Sequence, residues 1–261
     1  MVTSELRLEE AVVVSQEEVC QDTYLLWLSC PPLAKGAAPG RFVMLLCGEG
    51  FDPLLPRPMS YHRFRQVGGE TQWAILYDVR GRGTRWLSQR RPGDHIWAFG
   101  PLGRGFAPER GATNLLLIAG GLGIAPIIAL ADAALAQGRT VTLLYGAKTA
   151  SKLLPPSYFP TDLEIVFATE DGSHGHHGLV TDLVPSFLPW AHQAFVCGPT
   201  GMYRELANVL RGVSSTAKVQ VLMEEHMACG TGICYGCTTF TRKGPRLVCR
   251  DGPCFALEDL Y

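Results

Sequence analysis

Short stretches in which apolar and polar residues alternate occupy roughly the first hundred residues of the chain. Glycine and proline separate them, as in 37-AAPG-40 and 91-RPGD-94. Alternation with a period of two predicts half-buried β-strands, and many such strands joined by turns are typical of an antiparallel barrel. The predicted strands are 10–16, 23–29, 41–47, 72–79 and 94–100.

The pattern changes near residue 110. The segment 114-NLLLIAG-120 is almost entirely apolar, as in a strand buried on both faces, and an apolar helical stretch follows over 124–138. Strands and helices then alternate, which predicts an α/β domain with a parallel sheet. The further predicted strands are 140–146, 163–169, 193–198 and 218–223, and the further predicted helices are 179–188 and 201–212.

From about residue 224 the chain is rich in cysteine and glycine and contains no segment long enough for a helix with its own core. We interpret it as a small module that is held together by what its cysteines bind. The sequence therefore predicts three units: an all-β barrel over 1–106, an α/β domain over 107–222 and a C-terminal module over 223–261.

Composition and charge narrow the classes of function. The chain has 261 residues, of which 47% are hydrophobic and 18% charged, and a formal net charge of −1 that gives no basic field for nucleic acid. Apolar runs are shorter than the eighteen or so residues of a membrane span, and the first residues lack the apolar core of a signal peptide. We therefore expect a cytoplasmic protein, in which nine cysteines suggest a metal or redox role rather than disulfides.

Four cysteines follow the pattern Cys229-x4-Cys234-x2-Cys237, with Cys249 further on. This spacing is that of plant-type [2Fe–2S] clusters, whose irons are bound by thiolates. The glycines of 229-CGTGICYGC-237 suit a loop that turns backbone N–H groups toward sulfur. A structural zinc site is the alternative, although zinc sites usually pair two short cysteine knuckles. Cys254 is interpreted as a small buried residue rather than a ligand.

The barrel half contains two candidate sites for an anionic ligand. In 57-RPMSYHR-63, Arg57 and Ser60 offer a cation and a hydroxyl after the rigid Pro58. In 80-RGRGTRWLSQR-90, Gly81 and Gly83 precede Thr84, which we predict to cap a helix over 85–90 and to form a phosphate site. A structural Arg-Pro and an ordinary capped helix are the alternatives.

The α/β half contains two glycine turns that follow buried strands. In 120-GGLGIAP-126 the turn opens a helix, which is where a dinucleotide pyrophosphate lies in an α/β sheet. The candidate residues there are Gly120, Gly121, Gly123, Ala125 and Pro126. A second turn, 197-CGPTGM-202, adds the candidates Cys197, Gly198 and Pro199, with Cys197 as an apolar wall near the ligand.

Taken in order, the motifs R-P-x-S, G-x-G-T, G-G-x-G-x-A-P and C-G-P resemble those of the ferredoxin–NADP reductase superfamily. The tail 222-LMEEHMACGTGICYGCTTF-240 with 248-VCRDGPCF-255 is similar to that of B-type dihydroorotate dehydrogenase electron-transfer subunits, as is the loop 169-TEDGSHGHHGLVTDLV-184. Two positions depart from that resemblance, His226 where arginine is expected and Cys254 where valine is expected.

The resemblance implies an FAD-binding β-barrel, an NAD-binding α/β domain and a [2Fe–2S] module. It implies an NAD(H)-reactive oxidoreductase subunit that carries electrons from the FMN of a catalytic partner through the cluster and FAD to NAD+ in pyrimidine synthesis, in a heterotetramer. The residues that it assigns to FAD are Arg57, Pro58, Met59, Ser60, Leu76, Tyr77, Asp78, Gly83 and Thr84. It assigns the cluster to Cys229, Cys234, Cys237 and Cys249, and it implies no catalytic acid or base in the chain.

Two further functions stay open on the sequence. One is a flavin and iron–sulfur subunit of a hydrogenase or of a ferredoxin-dependent NAD(P) transhydrogenase. The other is a zinc-binding module without enzymatic activity.

Three weaker signals are interpreted as ordinary structural features rather than as sites. The histidines His174, His176 and His177 are predicted to lie in a solvated loop over the nicotinamide crevice. Lys148 and Lys152 are compatible with a 2′-phosphate or with ordinary surface positions, and NAD is preferred through the resemblance. Trp27, Trp73 and Trp97 are interpreted as core residues rather than flavin-stacking residues.

Overall fold

The computed structural model describes residues 7–48, 50 and 52–261. Its first part is a seven-stranded antiparallel sheet in the order β4-β3-β7-β1-β2-β6-β5. The strands are β1 (Arg7–Cys20), β2 (Thr23–Ser29), β3 (Phe42–Leu45), β4 (Arg57–Ser60), β5 (Arg63–Val67), β6 (Glu70–Asp78) and β7 (His95–Leu102). Two short helices, α1 (Pro31–Ala34) and α2 (Arg82–Ser88), complete this part.

The ends of this sheet curl toward each other around an aromatic core. Directly after β4, the backbone N–H of His62 donates to the carbonyl oxygen of Ala74 in β6, at 2.8 Å. The fully buried rings of Tyr61 and Trp73 meet edge to face inside the curl, with centroids 5.3 Å apart. The predicted antiparallel barrel is confirmed in this curled form.

The second part is a parallel sheet in the order β11-β10-β9-β8-β12-β13, with helices on its faces. The central strand β8 is apolar because both of its faces are covered, as the sequence predicts. The strands are β8 (Asn114–Gly120), β9 (Thr140–Ala147), β10 (Glu164–Thr169), β11 (His176–His177), β12 (Gln193–Cys197) and β13 (Lys218–Leu222). The helices are α3 (Ile124–Ala136), α4 (Val184–Phe187) and α5 (Thr200–Leu210).

The C-terminal segment consists of short elements. They are the hairpin β14 (Thr238–Thr241) and β15 (Gly244–Leu247), the helix α6 (Val248–Asp251), the strand β16 (Cys254–Ala256) and the helix α7 (Leu257–Leu260). Strand β16 pairs antiparallel with β13, with Cys254 opposite Leu222. The cysteine-rich segment is therefore attached to the edge of the parallel sheet. The boundaries predicted for the three units stay predictions.

The helix predicted over 179–188 is wrong in its extent. The structure has a 3₁₀ turn over Val180–Leu183, the four-residue α4 and a second 3₁₀ turn over Leu188–Trp190. Pro185 and Pro189 explain the break, since proline lacks an N–H and is tolerated only in the first turn of a helix.

The predicted cap at Thr84 is also wrong. Helix α2 begins at Arg82 after the extended residue Gly81, so Thr84 lies within its first turn. Its hydroxyl reaches backward and accepts the backbone N–H groups of Arg80 and Gly81, at 2.9 and 3.2 Å. Glycine serves well before a helix, and the threonine fixes the preceding turn instead.

Two other expectations differ from the structure in the barrel half. Strand β5 is not predicted by the sequence pattern, since RFRQV is mostly polar, and in the structure none of its residues is fully buried. Trp97, expected in the core, is 47% exposed on β7, while Trp73 is fully buried as expected. In the described part of the chain, no helix is long and apolar enough to cross a membrane.

Candidate functional site

A cleft of about 730 Å³ lies between the curled sheet and the carboxyl ends of the parallel strands. The end of β6, with Leu76, Tyr77 and Asp78, forms one wall, and the turn after β8 forms the other. Ligands in open α/β folds bind outside the carboxyl ends of the strands, where successive connections run to opposite faces of the sheet. The cleft occupies that position because β9 and β12 flank β8 on its two sides.

On the barrel side, five of the predicted residues line the cleft. The other four lie beside this wall, where the side chain of Arg57 covers Gly83: a Cβ atom added to Gly83 would lie 2.9 Å from Arg57 Nε. Arg57 also donates from Nη1 to the carbonyl oxygen of Leu55, at 2.6 Å. The lining residues are Met59, Leu76, Tyr77, Asp78 and Thr84, and those beside the wall are Arg57, Pro58, Ser60 and Gly83.

On the sheet side, the two predicted glycine turns meet in the cleft. Gly120, Gly121 and Gly123 line it together with Gly198 and Pro199. They can meet because Gly123 has no side chain: a Cβ atom there would overlap the carbonyl group of Cys197. The two turns therefore form one continuous backbone surface.

The other three residues predicted for the nicotinamide side lie behind that surface. Ala125 and Pro126 are buried in the first turn of α3. Cys197 is fully buried at the end of β12, with its Sγ 4.0 Å from Oε1 of Glu224. Burial, and then the nearby Glu224, raise the pKa of the Cys197 thiol well above its usual value. Cys197 is thus a buried neutral thiol behind the lining of the cleft, and its predicted role as an apolar wall near the ligand stays a prediction.

Sequence reasoning missed a carboxylate in this cleft. Glu224 lines it, two residues past the end of β13. Glu224 is exposed to the open cleft, but the protein atoms around it exclude part of the water from its carboxylate and so raise its pKa; Arg80 opposes the increase and Asp78 adds to it. The sequence does contain a signal for it, since Glu224 follows a predicted strand almost directly and so lies at the carboxyl edge of the sheet. Glu224 is also at the start of the cysteine-rich segment, which points to the cluster rather than to the cleft.

The far end of the cleft carries mixed charge. Lys148, Lys152 and Glu170 line it, close to the ends of β9 and β10. The ammonium of Lys152 donates to the carbonyl oxygen of Gln21, at 2.8 Å. This end of the cleft therefore presents a carboxylate as well as ammonium groups to a ligand.

The histidine loop follows β10 and borders this end of the cleft. His174, His176 and His177 are exposed, and Nε2 of His176 lies 3.4 Å from Oδ2 of Asp182. Over residues 7–48, 50 and 52–261, no three His, Cys, Asp or Glu side chains lie close enough together to hold a single metal ion. The histidines therefore do not form such a group, and the C-terminal cysteines lie in pairs rather than around one ion.

The thiols of the C-terminal segment form two neighbouring pairs. Sγ of Cys229 accepts the backbone N–H of Thr231 at 3.4 Å and that of Cys234 at 3.5 Å. Sγ of Cys237 accepts the backbone N–H of Cys249 at 3.4 Å. Gly230, Gly232 and Tyr235 have positive φ, which lets the loop turn tightly around these sulfurs. None of the nine cysteines, all within the described part of the chain, forms a disulfide.

The two pairs differ electrostatically. Burial raises the pKa of Cys229, but the N–H groups of Cys234 and Thr231 together outweigh it and bring the pKa down to about 6. Burial, with Cys237 beside it, raises the pKa of Cys249 to about 12. Directed N–H groups are the usual stabilisers of sulfur that carries negative charge, so the loop suits thiolate ligands.

The cysteine loop contacts the curled sheet directly. A Cβ atom added to Gly230 would lie 2.8 Å from Cγ of Met44 in β3 and 3.1 Å from Cδ1 of Leu102 in β7. The missing side chain thus lets the loop backbone lie against the barrel core.

An apolar groove runs beside the loop. Leu8, Leu46, Leu54 and Phe99 line it with Cys229 and two loop neighbours, and its volume is about 490 Å³. On the same loop Ile233 is 79% and Tyr235 67% exposed. Exposed apolar side chains beside an apolar groove are typical of an interaction surface.

Two family models match the chain. The iron-sulfur cluster binding domain of dihydroorotate dehydrogenase B matches residues 224–261, and the oxidoreductase NAD-binding domain matches residues 117–208. A protein of Desulforamulus reducens named dihydroorotate dehydrogenase B (NAD(+)), electron transfer subunit, is 36% identical over 253 residues, or 94% of this chain and 95% of the relative.

The chain belongs to the family of dihydroorotate dehydrogenase B electron transfer subunits. Two further members carry the same name. The one from Geobacillus thermodenitrificans is 35% identical over 95% of this chain and 96% of its own length. The one from Bacillus mycoides is 31% identical over 98% of this chain and 99% of its own length. Family membership confirms the expected oxidoreductase function and implies a catalytic partner subunit.

Solved structures agree on the fold. An NADH-dependent reduced ferredoxin-NADP oxidoreductase, studied for flavin-based electron bifurcation, superimposes with a TM-score of 0.84 and 27% identity, over 96% of this chain and 89% of that one. A Neisseria gonorrhoeae ferredoxin NADP+ reductase with bound FAD and NADP matches with a TM-score of 0.64 and 15% identity, over 82% and 98%. The latter likeness shows the fold alone, that of the ferredoxin–NADP reductases.

Proposed function

We propose that this chain is the electron-transfer subunit of an NAD-dependent dihydroorotate dehydrogenase in pyrimidine synthesis. Its partner is an FMN-containing catalytic subunit, in a heterotetramer. When bound, FAD supplies two-electron exchange with nicotinamide and the [2Fe–2S] cluster supplies one-electron transfer. The observation that carries the proposal is the cysteine loop itself, with two pairs of thiols facing directed N–H groups and lying directly against the barrel.

The cluster ligands are Cys229, Cys234, Cys237 and Cys249. A cluster with two irons needs two thiolates for each iron, and the thiols already lie in two neighbouring pairs. The four backbone N–H groups that point at these sulfurs match the hydrogen bonds that tune such clusters.

For FAD, the chain offers one wall of the cleft. The end of β6 and Met59 provide an apolar surface, while Arg57, Ser60 and the turn held by Thr84 provide polar groups next to it. We assign the flavin to Arg57, Pro58, Met59, Ser60, Leu76, Tyr77, Asp78, Gly83 and Thr84. Their part is to orient the flavin and to exclude water from the side that faces the glycine turns.

For the nicotinamide cofactor, the glycine turns provide the opposite wall. Gly120, Gly121, Gly123, Gly198 and Pro199 present backbone to the ligand, and Ala125, Pro126 and Cys197 support them from behind. We propose NAD rather than NADP because Glu170 lines the far end of the cleft and the ammonium of Lys152 is held by Gln21. A carboxylate there disfavours a 2′-phosphate.

The catalytic partner docks on the apolar groove beside the cluster. Leu8, Leu54, Ile233 and Tyr235 are exposed around the cysteine loop, and this surface lies next to Cys229. Docking there would bring the partner's FMN close to the cluster without blocking the NAD cleft.

Purification under argon, followed by a visible spectrum and an iron and sulfide assay, tests this function. Flavin and iron–sulfur bands that NADH bleaches are expected, and adding the FMN-containing subunit with dihydroorotate and NAD+ should yield NADH. An Ile233→Glu variant should keep its spectrum but bind the partner more weakly, while Phe240→Glu, exposed on the neighbouring hairpin, is the matched control. A colourless protein that contains zinc would contradict the proposal.

One observation favours a second candidate function. The match with a TM-score of 0.84 is to an NADH-dependent reduced ferredoxin-NADP oxidoreductase. A chain that is reduced by ferredoxin and exchanges electrons with NAD(P), but that does not bind a dihydroorotate dehydrogenase subunit, would support this alternative.

A further inference from the structure

His62 joins the two halves of the molecule at a buried point. It lies two residues past the end of β4, is 1% exposed, and its backbone N–H donates to the carbonyl oxygen of Ala74 in the curled sheet. Its ring Nδ1 lies 2.8 Å from the carbonyl oxygen of Ala125 in α3. Since a carbonyl oxygen can only accept, Nδ1 carries the proton, and the imidazole is the donor.

A second contact between the same two elements lies beside it. Arg63 donates from Nε and Nη2 to the carboxylate of Asp132, at 2.9 and 3.2 Å. Asp132 lies two helical turns beyond Ala125 on α3, so the two contacts fix both the position and the direction of the helix relative to the sheet. We call the contacts His62–Ala125 and Arg63–Asp132 the 62–63 clamp.

The clamp lies between two candidate cofactor sites. Met59, which lines the flavin wall, is three residues before His62. Gly123, which lines the opposite wall, is two residues before Ala125. Each end of the clamp is thus tied by a few covalent bonds to a wall of the cleft.

We propose that the 62–63 clamp is a positioning device that sets the separation of the flavin wall and the nicotinamide turn, with His62 as its central positioning residue. The proposal rests on the proposed function. Hydride transfer requires the reacting atoms within about 3–3.5 Å of each other, and a displacement of about 1 Å can slow such a reaction by about a hundredfold. Apolar packing already holds α3 against the sheet, and a buried, directed hydrogen bond between the two walls adds a fixed distance to that packing.

A comparison of His62→Leu with His62→Asn tests this role. Leucine fills the space but donates nothing, whereas the Nδ2 of asparagine, like the Nδ1 of histidine, is bonded to Cγ and can reach Ala125. The matched control is His95→Leu, which removes an exposed histidine from β7. For each protein, one measures the rate of flavin reduction at saturating NADH, the Kd of NAD+, the FAD content, and hydrogen exchange in the peptide that covers residues 120–128.

If the clamp has this role, the three variants should differ in flavin reduction and in hydrogen exchange. His62→Leu should keep its FAD but reduce it about tenfold or more slowly, with faster hydrogen exchange over 120–128. His62→Asn should recover most of the rate and the protection, and His95→Leu should match the wild type. A His62→Leu protein with unchanged flavin reduction and unchanged exchange over 120–128 would overturn the proposal, as would equal defects in the leucine and asparagine variants.

Asp132→Asn keeps the proposal testable if His62→Leu fails to fold. This variant weakens the Arg63–Asp132 contact. It should speed hydrogen exchange over 120–128 and slow flavin reduction, both by less than His62→Leu does. No change in either measurement would count against the clamp. Failure of the proposed function is recognised separately on the wild-type protein: a chain without flavin would not be bleached by NADH, and a chain that is bleached but does not bind a dihydroorotate dehydrogenase subunit would support the second candidate function. The exchange measurement needs no bound nicotinamide and decides the clamp in either case.

Discussion

The carbonyl group of Cys197 occupies the space into which a side chain on Gly123 would project. The two residues belong to different glycine turns, one after β8 and one after β12, and their contact turns two separate loops into one wall of the cleft. The requirement for glycine at position 123 is therefore set by a neighbouring backbone rather than by the dihedral angles of the turn.

Gly123→Ala should separate the two turns and weaken the binding of NAD+. The added methyl group meets backbone that cannot rotate away, so we expect a loss of about 1–3 kcal/mol in stability and a raised Kd for NAD+. Titration of the purified protein with NAD+ and a thermal melt measure both effects. Gly111→Ala is the matched control, because a Cβ atom there meets open space. A Gly123→Ala protein that binds NAD+ as tightly as the wild type would contradict the contact.

Gly230→Ala should lower the amount of cluster that the chain retains. The residue has a positive φ of 68°, and the new methyl group would press against Met44 and Leu102 of the barrel. Gly244→Ala is the control that separates backbone strain from the contact with the barrel. Gly244 has a φ of 93° in the hairpin, but a Cβ atom there meets open space. We expect Gly244→Ala to lower the melting temperature alone, and Gly230→Ala also to lower iron and sulfide per chain. Equal iron contents in the two variants would mean that the barrel contact does not matter for the cluster.

Much of the architecture could be read from the sequence because local pattern and burial agree. Strands β2 and β8 occupy the predicted positions, since alternation and continuous apolarity each reflect how many faces of a strand are buried. The residues of the cleft were found where a glycine turn follows a strand, because the position of such turns in a parallel sheet is fixed by topology. The helix predicted over 179–188 is broken because Pro185 lacks an N–H, which a pattern of apolar residues does not record.

What the sequence did not reveal depends on contacts between distant segments. His62 and Ala125 are 63 positions apart, and neither residue type indicates a partner until the two halves of the molecule are placed together. Glu224 belongs to the cysteine-rich tail in sequence but to the cleft in space. The tie between β13 and β16 is likewise hidden, because a three-residue edge strand carries little periodicity.

Cys249→Ser should remove most of the iron and sulfide, whereas Cys254→Ser should retain both. Cys249 is buried with its N–H against Cys237, among the proposed ligands. Cys254 lies in β16 and faces the barrel, since a Cβ atom on Gly40 would lie 3.0 Å from its sulfur. The iron and sulfide contents of the two variants decide the assignment, and loss of the cluster in Cys254→Ser would reverse it.

His62 should make the stability of the protein depend on pH in acid. Burial above all lowers the pKa of His62 to about 4; the bond to Ala125 opposes the shift, and the nearby Arg63 adds to it. An unfolded histidine has a pKa of about 6.5, so between these values the unfolded chain binds a proton that the folded chain excludes. The contribution is therefore fully present above about pH 6.5 and is lost as the pH falls toward 4, by on the order of 2–3 kcal/mol at pH 4.5. Urea unfolding at pH 7 and pH 4.5 should show a smaller acid-dependent loss of stability in His62→Asn than in the wild type. If His62→Asn lost as much stability in acid as the wild type, the imidazole would have to be accessible to protons in the folded state, and the buried contact with Ala125 would not be the one that holds it.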